Sequence, residues 1–369
     1  MLIARQEESD VKVIVIGAGV IGALTAYKLA QAGAEVTLID GRGPAAGASG
    51  ASFGWINASF YLDEVHYRFR QEGINAHKRL QLDLGTSAIR WQRCLCWEET
   101  GDAFDAQFRA LQQLGYPVRA LYRDEIAALE PKINPPERAL MFESEGVANL
   151  LSLTHDALAA AQSYGAKLVT GIDATGIEHH SGRIIGVRWS GGILTCDKVV
   201  VAAGVAAPDV LRDTGVHLPM LDRPGAIMRS TVMPPVLAHV LVTPDGEIRQ
   251  DTSGRFIVPT AASHQSDATE KIETDPRVLA RAAAARVSEL VGMDIDWDTV
   301  ALAYRPVPGD QRPVIGSAGL EGLHVAVMHS GATLCAIAAE ITSSEVMEMP
   351  LSNETAALVA PYRPERFTV

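Results

Sequence analysis

Hydrophobic and polar positions scarcely alternate at the start of the chain, and that lack of alternation is the first signal. Val11-Lys12-Val13-Ile14-Val15-Ile16 is a short, mostly β-branched run, as expected of a strand covered on both faces of a parallel sheet. Gly17-Ala18-Gly19-Val20-Ile21-Gly22 follows at once, then a helical stretch over 23–32 that Gly33 ends. A second strand, Glu35-Val36-Thr37-Leu38-Ile39, closes with Asp40. These pieces make a βαβ unit of about 30 residues, which requires a parallel pair joined by a right-handed crossover.

Beyond it, residues 41–52 are too rich in Gly, Ala and Ser for a core strand. The pattern turns helical over 64–84, with Val65, Phe69, Ile74 and Leu80 as its apolar positions. Residues 100–145 mix short helices with turns at Pro131, Pro135 and Pro136 and show no clear period. A helix over 153–161 ends at Tyr164-Gly165-Ala166 and is followed by a strand at Lys167-Leu168-Val169. An alternating strand pair is predicted over 184–189 and 193–196. Val199-Val200-Val201-Ala202-Ala203-Gly204 then reads as a second buried strand running into a glycine.

Residues 221–300 have a different character. Antiparallel strands are predicted over 226–232, 240–243 and 256–258. A helix follows with Asp275 as its cap and Pro276 at its first position. Its residues Leu279, Ala283, Val287, Leu290 and Val291 share one face, the pattern of a helix lying on a sheet. Buried-strand character returns at Leu323-His324-Val325-Ala326-Val327, ahead of a helix over 332–347. There is no repeat and no low-complexity linker, and the α/β signal lies at both ends and in the middle. Interleaved domains are therefore expected.

Composition narrows the classes. The chain of 369 residues is 47% hydrophobic and 21% charged, an ordinary globular mix able to build a large core. Its formal charge of −12 argues against a nucleic-acid partner, which needs a basic face. No run approaches the roughly 20 apolar residues of a membrane span, and MLIARQEESD has no apolar core of a secretory signal. Four cysteines, none in a metal-type CxxC pair, point to a reducing compartment and no metal. A cytoplasmic location is expected.

The glycines carry the chemistry. Gly17 allows the tight turn, Gly19 lets backbone approach a pyrophosphate, and Gly22 lets helix and strand pack closely. The helix start, with Val20 and Ile21, offers N–H groups and a partial positive charge to a diphosphate. Asp40, 18 residues beyond Gly22, suits the ribose hydroxyls of an adenosine half, with Gly41 and Arg42 beside it, and disfavours a 2′-phosphate. NAD and FAD both contain ADP, so this fingerprint alone does not choose between them. A nicotinamide dehydrogenase would continue with further βα units. Here the second strand leads instead into Gly47-Ala48-Ser49-Gly50-Ala51-Ser52 and Phe53-Gly54-Trp55.

At this point the sequence resembles the FAD-dependent amino-acid oxidase family, which includes D-amino-acid oxidase, glycine oxidase and monomeric sarcosine oxidase. Supporting segments are Glu145-Gly146-Val147, Gly182-Arg183-Ile184-Ile185-Gly186-Val187, the Val199–Gly204 run, and Tyr304-Arg305-Pro306 with Asp310, Pro313-Val314-Ile315-Gly316 and Met328-His329-Ser330-Gly331. Met328 and Val258-Pro259 depart from the family's usual glycines. The resemblance implies an α/β fold: a Rossmann-like FAD-binding domain (1–60, 146–220 and 301–369) interleaved with a smaller α+β substrate domain (61–145 and 221–300) on a mostly antiparallel sheet.

It also implies non-covalent FAD, since Ala301-Leu302-Ala303 carries no cysteine where some relatives attach flavin. Ala48, Ser49, Gly50, Ala51 and Ser52 would wrap the pyrophosphate and ribityl chain, with Gly54 and Trp55 near the ring. Ala174 would meet the adenine, and Ala203 and Gly204 would approach the cofactor. The last helix, through Ser330, Gly331, Ala332 and Thr333, would place its N-terminus where reduction puts negative charge. Arg305 would pair with a substrate carboxylate and border the flavin. His329, Trp55 and Tyr304 would wall the pocket, and Arg249 is a further candidate for it. The implied reaction is hydride loss from the carbon of a small amino-acid or amine substrate to flavin N5, then hydrolysis of the imine. Some relatives are flavoprotein subunits of hetero-oligomeric dehydrogenases, and neither the electron acceptor nor homo- or hetero-oligomeric assembly is written in these motifs.

Overall fold

The computed structural model describes residues 11–261, 268 and 270–367. Its first sheet has six strands in the order Val314–Ser317, Leu323–Val327, Lys198–Val201, Lys12–Ile16, Glu35–Asp40 and Lys167–Thr170. All neighbours are parallel except Val314–Ser317, which runs antiparallel to Leu323–Val327. Strand Lys12–Ile16 is central, with Ile16 beside both Ile39 and Val201. Val13, Ile14, Val15 and Ile16 are all buried. Both faces are covered, which is why the run does not alternate.

Helix Val20–Gln31 packs between helices Leu150–Ser163 and Gly331–Val346, and the last of these also packs on the long helix Glu64–Leu84. Small residues permit the approach: a Cβ on Gly73 of the long helix would stand 2.7 Å from the Thr333 carbonyl oxygen. The long helix has the predicted bounds. Asp63 caps it by accepting from His66 N at 2.8 Å, and Gly85 ends it in the left-handed conformation at φ +61°. Of its apolar positions, Phe69, Ile74 and Leu80 are buried and Val65 is exposed.

The second large sheet has eight strands: Trp297–Tyr304, Pro224–Ser230, Phe256–Pro259, Gly246–Gln250, Val240–Thr243, Cys94–Cys96, Arg138–Phe142 and Val118–Tyr122. It is antiparallel except where Val240–Thr243 runs parallel to Cys94–Cys96. Helix Pro276–Val291 covers the sheet, with Asp275 accepting from Arg277 N at 2.8 Å and Ala280, Ala283, Ala284, Val287 and Val291 buried against it. The three strands between 94 and 142 show no period in the sequence. Arg138–Phe142 pairs with the other two, and only Cys94–Cys96 reaches outside the stretch, to Val240–Thr243; no local alternation marks the pairing.

Candidate active site

Strands Lys12–Ile16, Glu35–Asp40, Lys198–Val201 and Leu323–Val327 end at one edge of the parallel sheet, where open α/β sheets bind their ligands. A cavity of about 370 Å³ lies there, walled by the segments that leave these strands. Gly17 turns the chain out of the first strand with φ +107°, and a Cβ on it would stand 2.4 Å from the Ala202 carbonyl oxygen. A Cβ on Gly22 would stand 1.9 Å from the Gly17 carbonyl oxygen, so this glycine fixes how closely helix and strand pack. Gly19 has extended backbone (φ −72°, ψ 177°), and its missing side chain leaves the cavity open.

The loop over 41–54 is tied down by specific bonds. Asp40 accepts from Ala18 N (2.8 Å) on Oδ2 and from Arg42 N (2.8 Å) and Gly43 N (2.7 Å) on Oδ1. A carboxylate has about four acceptor positions, so Asp40 both shapes the turn and keeps one position for a hydroxyl. Ser49 Oγ accepts from Val20 N at 3.0 Å, docking the loop on the first helix. Gly54, at φ +75°, packs so closely on Ala148 that a Cβ would be 2.0 Å from its carbonyl oxygen.

The C-terminal helix begins at Gly331 with Ser330 in the left-handed conformation (φ +59°) and no side-chain cap. Its first N–H groups are thereby left at the cavity edge, an arrangement that attracts negative charge. His77 is buried beneath, its Nε2 donating to the Ala332 carbonyl oxygen at 2.8 Å, and burial pulls its pKa down to about 4.

Nearly every residue expected at a cofactor lines this cavity: Gly17, Gly19, Val20 and Ile21; Asp40, Gly41 and Arg42; Ala48, Ser49, Ala51 and Ser52; Gly54 and Trp55; Ala174, Ala203 and Gly204; and Arg305 with Ser330 through Thr333. Gly22 lies behind it. Gly50 lines an adjoining cavity of about 30 Å³ that shares Ser49, Ser52 and Leu150 with the main one. His329 and Met328 line the main cavity, Met328 fully buried.

Tyr304 is a correction: it is not on the cavity wall but 47% exposed. Successive residues of an extended chain point to opposite sides. Ala303 and Arg305 face the cavity, so Tyr304 between them faces away. Arg249 lines the smaller cavity, not the main one.

Two buried groups escaped sequence reasoning. Arg70, on the long helix, is only 3% exposed and lines the cavity. It donates from Nε to the Asn57 carbonyl oxygen (3.0 Å), from Nη2 to Asn57 Oδ1 (2.6 Å) and from Nη1 to Ser330 Oγ (2.7 Å). Burial lowers its pKa to about 10. Its signal was register, since 66, 70, 73 and 77 form one helical stripe. Glu145, fully buried behind Trp55, accepts from Trp55 Nε1 (2.8 Å), Ser59 Oγ (2.5 Å) and Tyr116 Oη (2.6 Å). Desolvation raises its pKa to about 7 against those hydrogen bonds.

All four cysteines are free and buried and none lines the cavity, and burial pushes the Cys96, Cys196 and Cys335 thiols up to about 12. Among the described residues no cluster of His, Cys, Asp and Glu suits a metal, and no helix is long and apolar enough to cross a membrane.

A glycine-turned strand–helix junction, an acid closing the second strand and a cavity at the strands' carboxyl ends define a dinucleotide-binding oxidoreductase fold. The walls of glycine, alanine and serine at 17–19, 46–52 and 202–204 leave the room such a dinucleotide needs. The FAD dependent oxidoreductase family matches residues 12–345, and the chain belongs to it.

An uncharacterised oxidoreductase of Bacillus subtilis is 25% identical over 95% of this chain and 98% of its own length. A D-amino acid dehydrogenase of Rhizobium johnstonii is 25% identical over 86% of this chain and 91% of its own. Among solved structures, glycine oxidase from Geobacillus kaustophilus superposes with a TM-score of 0.84 at 20% identity, covering 96% of this chain and 98% of that one. Iminodiacetate oxidase from Chelativorans gives 0.82 at 23%, covering 95% and 98%. The mixed α/β fold of this chain, with its several sheets, is the fold of these oxidases.

Proposed function

We propose that the protein oxidises the C–N bond of a small amino acid or secondary amine, with FAD held non-covalently. Residues 1–60, 146–220 and 301–369 would form the cofactor domain, and 61–145 with 221–300 the substrate domain. One observation carries the reading: Arg305, His329, Met328 and Trp55 wall the same cavity as the dinucleotide glycines Gly17 and Gly19. FAD, when bound, supplies the hydride acceptor for the carbon bearing the nitrogen.

The protein's own groups bind, orient and exclude water. Arg305 presents a planar fork suited to a carboxylate. Its Nε also donates to the Arg223 carbonyl oxygen at 3.3 Å, which fixes the fork's direction. Trp55 and Met328 supply bulky apolar wall and keep water from the reacting carbon. The uncapped start of helix Gly331–Val346 and the Arg70 guanidinium together place positive potential at that end of the cavity. An amine entering deprotonated needs no side-chain base, and the imine it becomes is hydrolysed by water.

Asp40 and the loop over 41–54 would hold the nucleotide half, and Ser330 through Thr333 the ring half. The lack of a cysteine on the cavity wall among the described residues supports non-covalent attachment. The test is anaerobic bleaching of the FAD-loaded protein by D-, L- and N-alkyl amino acids. Reduction by some of them supports the reading. A flavin that none reduces, while a reduced nicotinamide does, removes it.

A further inference from the structure

Three positions on one face of the long helix, 70, 73 and 77, meet the first turn of the last helix. Gly73 packs on the Thr333 carbonyl oxygen, and His77 Nε2 donates to that of Ala332 at 2.8 Å. Arg70, one turn before Gly73, passes the end of the last helix and donates from Nη1 to Ser330 Oγ at 2.7 Å. The close approach that Gly73 permits is therefore what carries the guanidinium to the cavity wall. Its other two arms hold Asn57, Nε on the carbonyl oxygen at 3.0 Å and Nη2 on Oδ1 at 2.6 Å. Asn57 N in turn donates to Thr333 Oγ1 at 3.1 Å. The strand that carries Trp55 and the start of the last helix are thus tied to each other through Asn57 and Arg70.

Every acceptor on Arg70 is neutral. Burial lowers its pKa to about 10, which leaves it charged at neutral pH, and Glu145 opposes that shift more than Tyr116 or Tyr362 does. Glu145 does not line the cavity, and both its oxygens are turned to donors on Trp55, Ser59 and Tyr116. The acids that do line the cavity, Asp40 and Asp173, stand on either side of Gly41, where the second strand ends. At the other end Arg70 adds a fixed cation to the N–H groups of Gly331 and Ala332, which the uncapped helix leaves at the cavity edge. A charge held in place inside a poorly polarisable wall acts more strongly than one in water.

We propose that Arg70 is a positioning residue for the cofactor's ring half: it locks the helix start against the Trp55 strand and sets how readily the ring takes up negative charge. Hydride transfer delivers two electrons and one proton, so the ring gains one net negative charge, and this arrangement favours that gain. The inference rests on the reading of the protein as an amine-oxidising flavoenzyme.

The probe is sulfite, whose sulfur lone pair bonds to the flavin ring of FAD-loaded protein and leaves negative charge there without turnover. The expected result is saturable bleaching of the visible band in the wild type. The sulfite Kd is expected to rise at least ~10-fold in Arg70→Met and to stay within about threefold of wild type in Arg70→Lys, which keeps the charge. The same tenfold appears as a two-electron midpoint potential lower by about 30 mV. Arg70→Gln, neutral but still able to donate to Asn57, is expected to match Arg70→Met and keeps the test decisive if that variant does not fold. A purely structural role would lower the urea midpoint of all three variants and leave the sulfite Kd and the potential where they were.

A wild-type flavin that takes up no sulfite, an unchanged Kd and potential in folded Arg70→Met or Arg70→Gln, or an Arg70→Lys as impaired as the neutral variants would overturn the inference. Reduction by amines with a potential indifferent to Arg70 would overturn it while leaving the oxidase reading intact. Arg70-dependent sulfite binding in a flavoprotein that no amine reduces would keep the inference and remove the oxidase reading, and a chain that takes up no FAD would remove both.

Discussion

Trp55 Nε1 donates to Glu145 Oε2 at 2.8 Å, so the indole that walls the cavity is held from behind by a fully buried carboxyl group. Everything that touches Glu145 on this side is a donor: Ser59 N at 3.3 Å, Ser59 Oγ and Tyr116 Oη besides the indole. Four donors on one carboxyl explain how it tolerates burial. Desolvation still dominates and lifts its pKa from 4.5 to about 7.

A pH dependence follows. Between pH 4.5 and 7 the folded protein holds this proton and the unfolded chain has released it. This group's contribution to stability is therefore full below 4.5, falls as pH rises through that window, and is flat above it. Glu145→Gln removes the slope. Its amide offers one oxygen where two accept now, so a donor is orphaned at a cost of about 1–3 kcal/mol. Urea unfolding across pH checks the slope, and Trp fluorescence checks the indole's release.

The three fingerprint glycines separate by variant. Gly17→Ala meets both a positive φ and the Ala202 carbonyl oxygen, and Gly22→Ala meets the Gly17 carbonyl oxygen. Both are expected to lose folded protein. Gly19→Ala puts its Cβ 3.2 Å from Ser49 Oγ in ordinary extended backbone. It is expected to fold with a near-normal Tm and to bind FAD more weakly, as measured by titration of the apoprotein.

The βαβ unit at the start and the strand–helix pair at the end were legible because each is continuous in sequence and buried on both sides. The long helix was legible for the opposite reason, a clear stripe. Strands Cys94–Cys96, Val118–Tyr122 and Arg138–Phe142 were not, since their sheet is completed by Val240–Thr243. At the site, residues on the glycine turns could be placed from spacing. Arg70 and Glu145 could not, because their partners Asn57, Ser330, Trp55 and Tyr116 are assembled only by the tertiary fold. Tyr304 was misplaced because its neighbours' motif does not reveal which way a strand's odd residues point.

Arg305→Ala is expected to raise the half-saturation concentration of the reducing amino acid roughly 30-fold, the equivalent of about 2 kcal/mol for a lost charge-assisted pair. Anaerobic reduction followed across substrate concentration checks it. Arg305→Lys, with charge but no planar fork, is expected to recover only part.

Arg70→Leu removes the donor to Asn57 and Ser330 together. Three acceptors then lose their partner, and a loss of about 2–4 kcal/mol is expected in urea unfolding even though a buried charge is gone. Arg70→Lys is expected to fall between the two.

The central claim is that an adenine-containing flavin occupies the cavity between the first and last helices. Titrating the apoprotein with FAD and, separately, with NAD by calorimetry, while recording the visible spectrum, tests it most directly. The account predicts one FAD per chain, a yellow protein whose colour stays after desalting and is released on denaturation, and no heat from NAD. A chain that stays colourless with FAD and binds NAD would contradict it.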